Sequence, residues 1–358
     1  MEVDGKALRF KKAVIATGAR AAELPIPGLK EAGALTNETV FSLTERPARL
    51  ACIGAGPIGC ELAQAFRRFG CEVTLFDAAP QLLIREDADA AGILQRRFLQ
   101  EGIRLVLGSK IVRVERNASE KVIHYEAGGR SDRVAVDEIL VGVGRSPNVE
   151  GLNLEAVGVQ YDKQKGVRVN DRLQTTNPRI YAVGDVCMVH KFTHAADAAA
   201  RIVIENALFP NLIFLGNKRL SKLTMPWCTY TDPEIAHVGM YESQAQQAGM
   251  PVATFVKKFE EVDRAVADGE EEGLLKIHVR KGTGEILGAT IVARHAGEMI
   301  NEVSLAIVHR IGLGGISSVI HPYPTQAEVI RHLADAYQAT RLTQSLKRWL
   351  RLWLSWNR

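Results

Sequence analysis

Hydrophobic positions along the chain fall into short continuous runs separated by stretches of helical period. LACIG, residues 50–54, reads as a buried strand; it enters Gly54-Ala55-Gly56-Pro57-Ile58-Gly59 and then ELAQAFRRFG, whose apolar spacing is that of a helix. A second strand, EVTLFD, ends on Asp77, and a helix is predicted near residues 88–101. The β-prone runs IRLVLG, IVRVER, KVIHYEA and RVAVDEILVGVG follow, punctuated by Gly, Asn-Ala-Ser and Gly-Gly turn signals. RIYAV, residues 179–183, is a further strand ending at Gly184-Asp185, and an alanine-rich helix is predicted over 193–208. From Trp227 onward the pattern changes to longer alternating strands, GLLKIHV and EILGATIVA, then a helix from about 296 to 310. The expectation is an α/β chain, a Rossmann-like unit with an inserted meander, followed by an α+β domain starting near residue 220.

The strand–turn–helix–strand unit around Gly54 carries the most specific chemistry. Gly54 allows a tight turn, Gly56 lets backbone approach a pyrophosphate, and Gly59 lets the helix pack closely on the strand. With Pro57 and Ile58 between them, they open a helix whose free N–H groups and positive dipole end favour an anion. An acid at the end of the second strand, here Asp77, suits a ribose 2′-OH and repels a 2′-phosphate, which favours NAD over NADP.

Composition narrows the classes. The chain has 358 residues, 46% hydrophobic and 24% charged, enough for two or three domains. It lacks a run of the roughly 18 apolar residues a spanning helix needs and a secretory pattern at its start, so a cytoplasmic location is expected. Cys52, Cys60, Cys71, Cys187 and Cys228 form neither CxxC nor CxxxxC, which suggests reduced, mostly buried thiols without a metal site. The net charge of +4 lies in the tail: residues 336–358 hold Arg341, Lys347, Arg348, Arg351 and Arg358 and no acid, leaving 40 basic against 41 acidic residues elsewhere. A body so balanced lacks the basic footprint of a nucleic-acid binder. In the tail, Leu342, Leu346, Trp349, Trp353 and Trp356 recur at helical spacing with Lys347, Arg351, Ser355 and Arg358 along the other side. Such a helix suits an anionic membrane surface or, more simply, apolar surface of the protein's own dimer.

ATG at 16–18, GAGPIGCELAQAF from Gly54, GVGRSPN from Gly142, TTNPRIYAVGD from Thr175 and HPYPTQAE from His321 follow one another along the chain. In this order the five motifs resemble the pyridine nucleotide-disulfide oxidoreductases, the mercuric reductase-like branch most closely and dihydrolipoamide dehydrogenase and glutathione reductase beside it. The resemblance spans nearly the whole chain. It implies a remnant of an FAD-binding domain over 1–48, an NAD(P)-binding domain over 49–144, the rest of the FAD-binding domain over 145–219, and a dimerisation domain over 220–335 before the basic tail of 336–358. FAD and NAD are the implied cofactors and a homodimer the implied assembly, with hydride passing from NAD(P)H to flavin and on to a disulfide, a metal ion or another small acceptor. The family's own FAD glycine fingerprint and redox CxxxxC precede its ATG segment, and neither is found here. The expectation is therefore a chain that begins inside the FAD domain, with acceptor reduction impaired; the alternative is a non-catalytic module that binds dinucleotide and dimerises.

By the same resemblance, Glu61 lies near the nicotinamide ring, Gly144 gives a backbone contact to NAD, and Arg145 bridges domains. Thr17 and Gly18 reverse the chain beside FAD, Asp185 accepts hydrogen bonds from ribityl hydroxyls, and Thr193 and His194 line the flavin. Tyr323 stands where the dehydrogenase and glutathione-reductase branches have histidine and where mercuric reductases have tyrosine that contacts the metal. An ordinary phenol titrates near 10, too high to shuttle thiol protons at neutral pH. His321, two residues earlier, is a candidate proton donor. Glu328 is a candidate partner of this site, though Thr325-Gln326-Ala327-Glu328 also reads as a capping box. The mercury reading lacks the branch's terminal cysteine pair, since no thiol follows Cys228.

Overall fold

A computed structural model describes residues 2–118, 120–209 and 217–356, and its chain forms two compact units. One comprises residues 45–139 and 224–358, the other 1–44 and 140–223.

In the first unit the run read as LACIG is the strand Arg49–Ile53, parallel to Glu72–Phe76, which is parallel to Arg104–Val106. Glu138–Val141, on which the chain leaves this unit, forms the opposite edge beside Arg49–Ile53. Leu50, Ala51 and Cys52 are fully buried, as a parallel strand covered on both faces requires. The helices Pro57–Arg68 and Ala88–Gln100 follow the first two strands, the former starting with Pro57 at its first turn, where the missing N–H costs nothing. The inserted meander is a three-stranded antiparallel sheet with Lys121–Ala127 between Lys110–Arg116 and Arg130–Val136.

The same unit continues as a five-stranded antiparallel sheet in the order Pro226–Thr229, Glu234–Gly239, Ile286–Ala293, Leu274–Arg280, Val252–Lys258. Ile286–Ala293 is central and buried along its whole length. The helices Ala296–Val308 and Glu328–Thr340 contribute Met299, Ile300, Val303, Ile330 and Leu333 to the core with that sheet. One expectation fails here. Thr325 does not cap: the helix begins at Glu328 with Ala327 at the cap position, the Thr325 hydroxyl donates to the Pro322 carbonyl at 2.8 Å, and the Glu328 carboxylate pairs with Arg331 at 3.3 Å. The helix starts two residues later than a capping box needs, so Glu328 is its first residue rather than its third.

In the second unit Ala13–Ile15 runs parallel to Ile180–Ala182, and Ala19–Ala21 pairs antiparallel with Arg145–Pro147. Around them pack Val149, Leu154, Val159, Val167 and Val186. The helix Thr193–Leu208 has the predicted bounds. Among the described residues no helix is long and apolar enough to cross a membrane.

Candidate functional site

The glycine-rich turn is shaped by contacts that only glycine permits. Gly54 has φ of +102°, the left-handed side that a side chain disfavours, and its N–H donates to the Phe76 carbonyl at 2.8 Å. A Cβ on Gly59 would stand 1.7 Å from the Gly54 carbonyl oxygen, so the helix packs on the turn closer than any other residue allows. At Gly56 the situation reverses: an added Cβ meets no atom within 4 Å, and the residue is the helix N-cap without a side-chain cap. The space beside this helix start is thus open, and the first turn of a helix is where an anion is favoured. Pro57 is exposed, and Ile58 half-buried, beside that opening.

Asp77 is hydrogen bonded into this turn. Its Oδ2 accepts the Ala55 N–H at 2.5 Å and its Oδ1 accepts the Ala79 N–H at 2.7 Å, so the carboxylate holds the loop while each oxygen keeps a further lone pair.

Glu61, one turn into the helix, is half-buried, and its Oε1 accepts the Tyr230 N–H at 2.8 Å. Burial raises its carboxyl above the ordinary value, a shift the Tyr230 hydrogen bond partly opposes. Gln64 and Arg68 continue the same helical face: Gln64 exchanges hydrogen bonds with the Asp232 backbone at 2.7 and 2.8 Å, and Arg68 pairs with Asp232 at 2.9 Å. Between this face and residues 230–232 lies an open pocket of about 290 Å³. The five thiols are all free, and burial raises every one of them, Cys52 and Cys187 to about 12, so none is a ready thiolate.

In the other unit two motifs read separately are bound together. Arg145 Nη1 donates to Asp185 Oδ2 at 2.7 Å, and Lys191 Nζ donates to the Arg145 carbonyl at 2.6 Å. Burial lowers the Lys191 ammonium below its usual value. The Thr17 hydroxyl donates to the Asn148 carbonyl at 2.7 Å, while the Asn148 amide donates to the Thr17 carbonyl at 2.9 Å. Gly18 accepts the Asn148 N–H at 3.0 Å and has φ of +67°. Gly144 is exposed and its carbonyl accepts the Ala22 N–H at 3.0 Å. Thr193 opens its helix behind Phe192, which has no side-chain cap, and the exposed His194 ring stacks on Phe192 at 5.3 Å.

The three C-terminal candidates each meet a different partner. Tyr323 is 70% exposed and its hydroxyl donates to Asp263 at 3.0 Å, an interaction that raises the phenol. His321 Nε2 stands 3.1 Å from both carboxylate oxygens of Glu302, and Glu328 is buried against Arg331. No hydrogen bond joins these three to one another. Tyr230, Glu302 and Asp263 escaped the sequence reading. The signal was the run TYTDPE, which falls in no helical or alternating pattern, and for the two acids there was none.

A family model described as pyridine nucleotide-disulphide oxidoreductase matches residues 1–200, and one described as the dimerisation domain of those proteins matches residues 225–334. Mercuric reductase from Staphylococcus aureus is 36% identical over 331 residues, which cover 92% of this chain and 60% of that protein. Dihydrolipoyl dehydrogenase from Thermus scotoductus is 34% identical over 340 residues, covering 94% of this chain and 72% of the relative. Among solved structures, the HOCl-induced flavoprotein disulfide reductase RclA from Escherichia coli superposes with a TM-score of 0.82 at 28% identity, over 90% of this chain and 73% of that one. The chain spans 60% of the length of the mercuric reductases from Staphylococcus aureus and Lysinibacillus sphaericus.

Proposed function

Because the chain belongs to the pyridine nucleotide-disulphide oxidoreductase family, we propose that it serves, as a homodimer, in an FAD-dependent oxidoreductase that draws reducing equivalents from NADH. The residues of the glycine turn fit a dinucleotide: Gly59 leaves no room for a side chain, whereas Gly56 faces space that a phosphate can fill. When bound, the nicotinamide supplies a hydride and the flavin accepts it.

Each residue has a stated task in this reading. Gly56, Ile58 and Gly59 seat the pyrophosphate on backbone N–H groups, Gly54 makes the turn and Pro57, which has no N–H, starts the helix, while Asp77 receives the ribose 2′-OH on its remaining lone pairs. A 2′-phosphate would bring a second anion against that carboxylate, hence NADH rather than NADPH. Glu61 orients the nicotinamide, with Gly144 as a backbone contact. Thr17, Gly18, Asp185, Thr193 and His194 hold the flavin, Asp185 by charge-assisted hydrogen bonds to hydroxyl groups.

Tyr323 is proposed to meet the acceptor, a metal ion or a disulfide. Its exposed phenol, raised by Asp263, stays protonated at neutral pH and acts as donor or ligand rather than as base. His321, held by Glu302, and Glu328 support that segment. Mercuric reductase among the relatives and tyrosine rather than histidine before Pro324 favour the metal ion.

The observation that carries the reading is the turn Gly54–Gly59 with Asp77 hydrogen bonded into it. Calorimetric titration tests it: NADH is expected to bind at least tenfold tighter than NADPH. Protein incubated with FAD is expected to keep the flavin's visible band and to reduce a dye with NADH. NADH binding without dye reduction would leave a dinucleotide-binding module; no binding at all would remove both readings.

A further inference from the structure

The last two helices differ in what they touch. Glu328–Thr340 sets Val329, Ile330, Leu333 and Ala334 into the core, whereas Gln344–Trp356 has no buried residue. Only residues 341–343 separate them, and Thr343 starts the second helix by accepting the Leu346 N–H on its hydroxyl at 3.3 Å and the Lys347 N–H on its carbonyl at 2.9 Å.

At about 100° per residue, Trp349, Trp353, Trp356 and the four leucines from Leu346 to Leu354 fall within an arc of about 200°. Gln344, Lys347, Arg348, Arg351 and Ser355 fill the opposite arc, and only Ser345 breaks the division. Trp349 is 59%, Leu352 66% and Trp356 90% exposed. Arg358, counted with this basic face from the sequence, lies outside the described residues.

Charge decides between the two occupants such a helix suits. A helix that covers a protein interface turns its polar face to water, where acids and bases serve equally. Here residues 336–358 contain no acid, although the rest of the chain is balanced at 40 basic to 41 acidic residues. The body of a second copy, at 40 basic to 41 acidic residues, has almost no net charge with which to attract this cationic helix. An anionic bilayer has that charge, and it also accepts tryptophan rings at the level of its headgroups. Thirteen residues of helix reach about 20 Å, short of the roughly 30 Å hydrocarbon core, so the helix lies along the surface.

We propose that Gln344–Trp356 is an in-plane membrane helix that docks the protein on anionic lipid, its tryptophans and leucines in the acyl boundary and Lys347, Arg348 and Arg351 on the headgroups. Two weak contributions, apolar burial and charge, then act together, giving reversible attachment.

The test uses the full chain with vesicles of phosphatidylcholine alone and of phosphatidylcholine mixed with phosphatidylglycerol, read by co-sedimentation and by tryptophan emission. Binding to the anionic vesicles with a blue shift, weakened by salt, is expected. Replacing Lys347, Arg348 and Arg351 by Gln should weaken it about fivefold per residue, roughly a hundredfold together. Trp349→Ser with Trp353→Ser should remove it, with no change in oligomer mass by light scattering. Equal binding to neutral vesicles, or none to anionic ones, would overturn the proposal. Loss of the oligomer in the tryptophan variant would assign the helix to a second copy instead.

Discussion

Arg145 and Asp185, forty residues apart, form an ion pair of 2.7 Å whose acid is the more covered member, with 13% of its side chain exposed against 34% for the arginine. The pair occupies one carboxylate oxygen of Asp185; under the proposed function the other accepts from hydroxyl groups of the flavin. It also sets the Arg145 charge beside Lys191, which contacts the Arg145 carbonyl.

Removal of that carboxylate is therefore expected to act on ligand and fold together. Asp185→Ala should lower flavin retention at least tenfold after incubation with FAD, and should cost about 1–3 kcal/mol of stability, the usual toll for stranding a charged hydrogen-bond partner. Asp185→Asn, which keeps an acceptor, should recover most of the stability and less of the flavin. Absorbance after gel filtration and denaturant midpoints read the two effects; flavin content unchanged in Asp185→Ala would exclude the ligand role.

The glycine turn separates folding from binding within five residues. Gly59→Ala puts a methyl group 1.7 Å from the Gly54 carbonyl oxygen, forcing backbone to move. The expected cost is about 1–3 kcal/mol or more, visible as a lower denaturant midpoint. Gly56→Ala meets no atom and should leave that midpoint unchanged, yet it should weaken NADH binding at least tenfold by filling the space meant for phosphate. Intact NADH affinity in Gly56→Ala would mean the dinucleotide does not use this turn.

What the sequence disclosed and what it hid follow from the range of each interaction. The turn at Gly54, the helix Thr193–Leu208 and the strand before that turn rest on local period and on glycines, and all were readable. The run RVAVDEILVGVG looked like one segment but divides at Asp137, whose carboxylate takes the Arg49 N–H at 2.8 Å and its guanidinium at 2.7 Å. The apolar pattern is continuous there because both halves are strands; the break is made by a residue 88 positions away. The capping box at Thr325 failed for the opposite reason: a correct local pattern was outbid by Pro322, whose carbonyl takes the hydroxyl. Glu61 with Tyr230, His321 with Glu302 and Tyr323 with Asp263 are contacts across 169, 19 and 60 positions, and no periodicity encodes such pairings.

His237 predicts an acid-sensitive seam. The ring is fully buried, stacks on Tyr241 at 3.8 Å, and lies between the Thr290 hydroxyl at 2.8 Å and the Gly239 carbonyl at 3.1 Å. A carbonyl can only accept, so Nε2 carries the proton and Nδ1 accepts from Thr290, which describes a neutral ring. Burial depresses it from 6.5 to about 3. A depressed base binds fewer protons folded than unfolded, so stability is present above about 6.5 and is lost as pH falls from there toward 3. By pH 5 the loss from this group should reach about 2 kcal/mol. His237→Gln should be less stable at pH 7 but lose less between pH 7 and 5; parallel curves for the two proteins would show that the ring titrates normally.

Glu61 gives the opposite slope and a functional readout. Its carboxyl is raised by burial, so the folded protein binds the proton more tightly than the unfolded chain does. The folded state is thus favoured at low pH, and this contribution is lost as pH rises from the ordinary glutamate value through the raised one. Glu61→Gln keeps an oxygen to accept the Tyr230 N–H and removes the charge, so the stability of the native protein relative to this variant should fall with rising pH across that window. The oxidised nicotinamide carries a positive charge that the reduced ring lacks, and a nearby half-buried carboxylate favours it electrostatically. Loss of the charge should then weaken NAD+ about tenfold more than NADH, a difference of about 1.4 kcal/mol in calorimetric affinities. If both forms weaken equally, Glu61 supports the fold of the pocket without facing the ring.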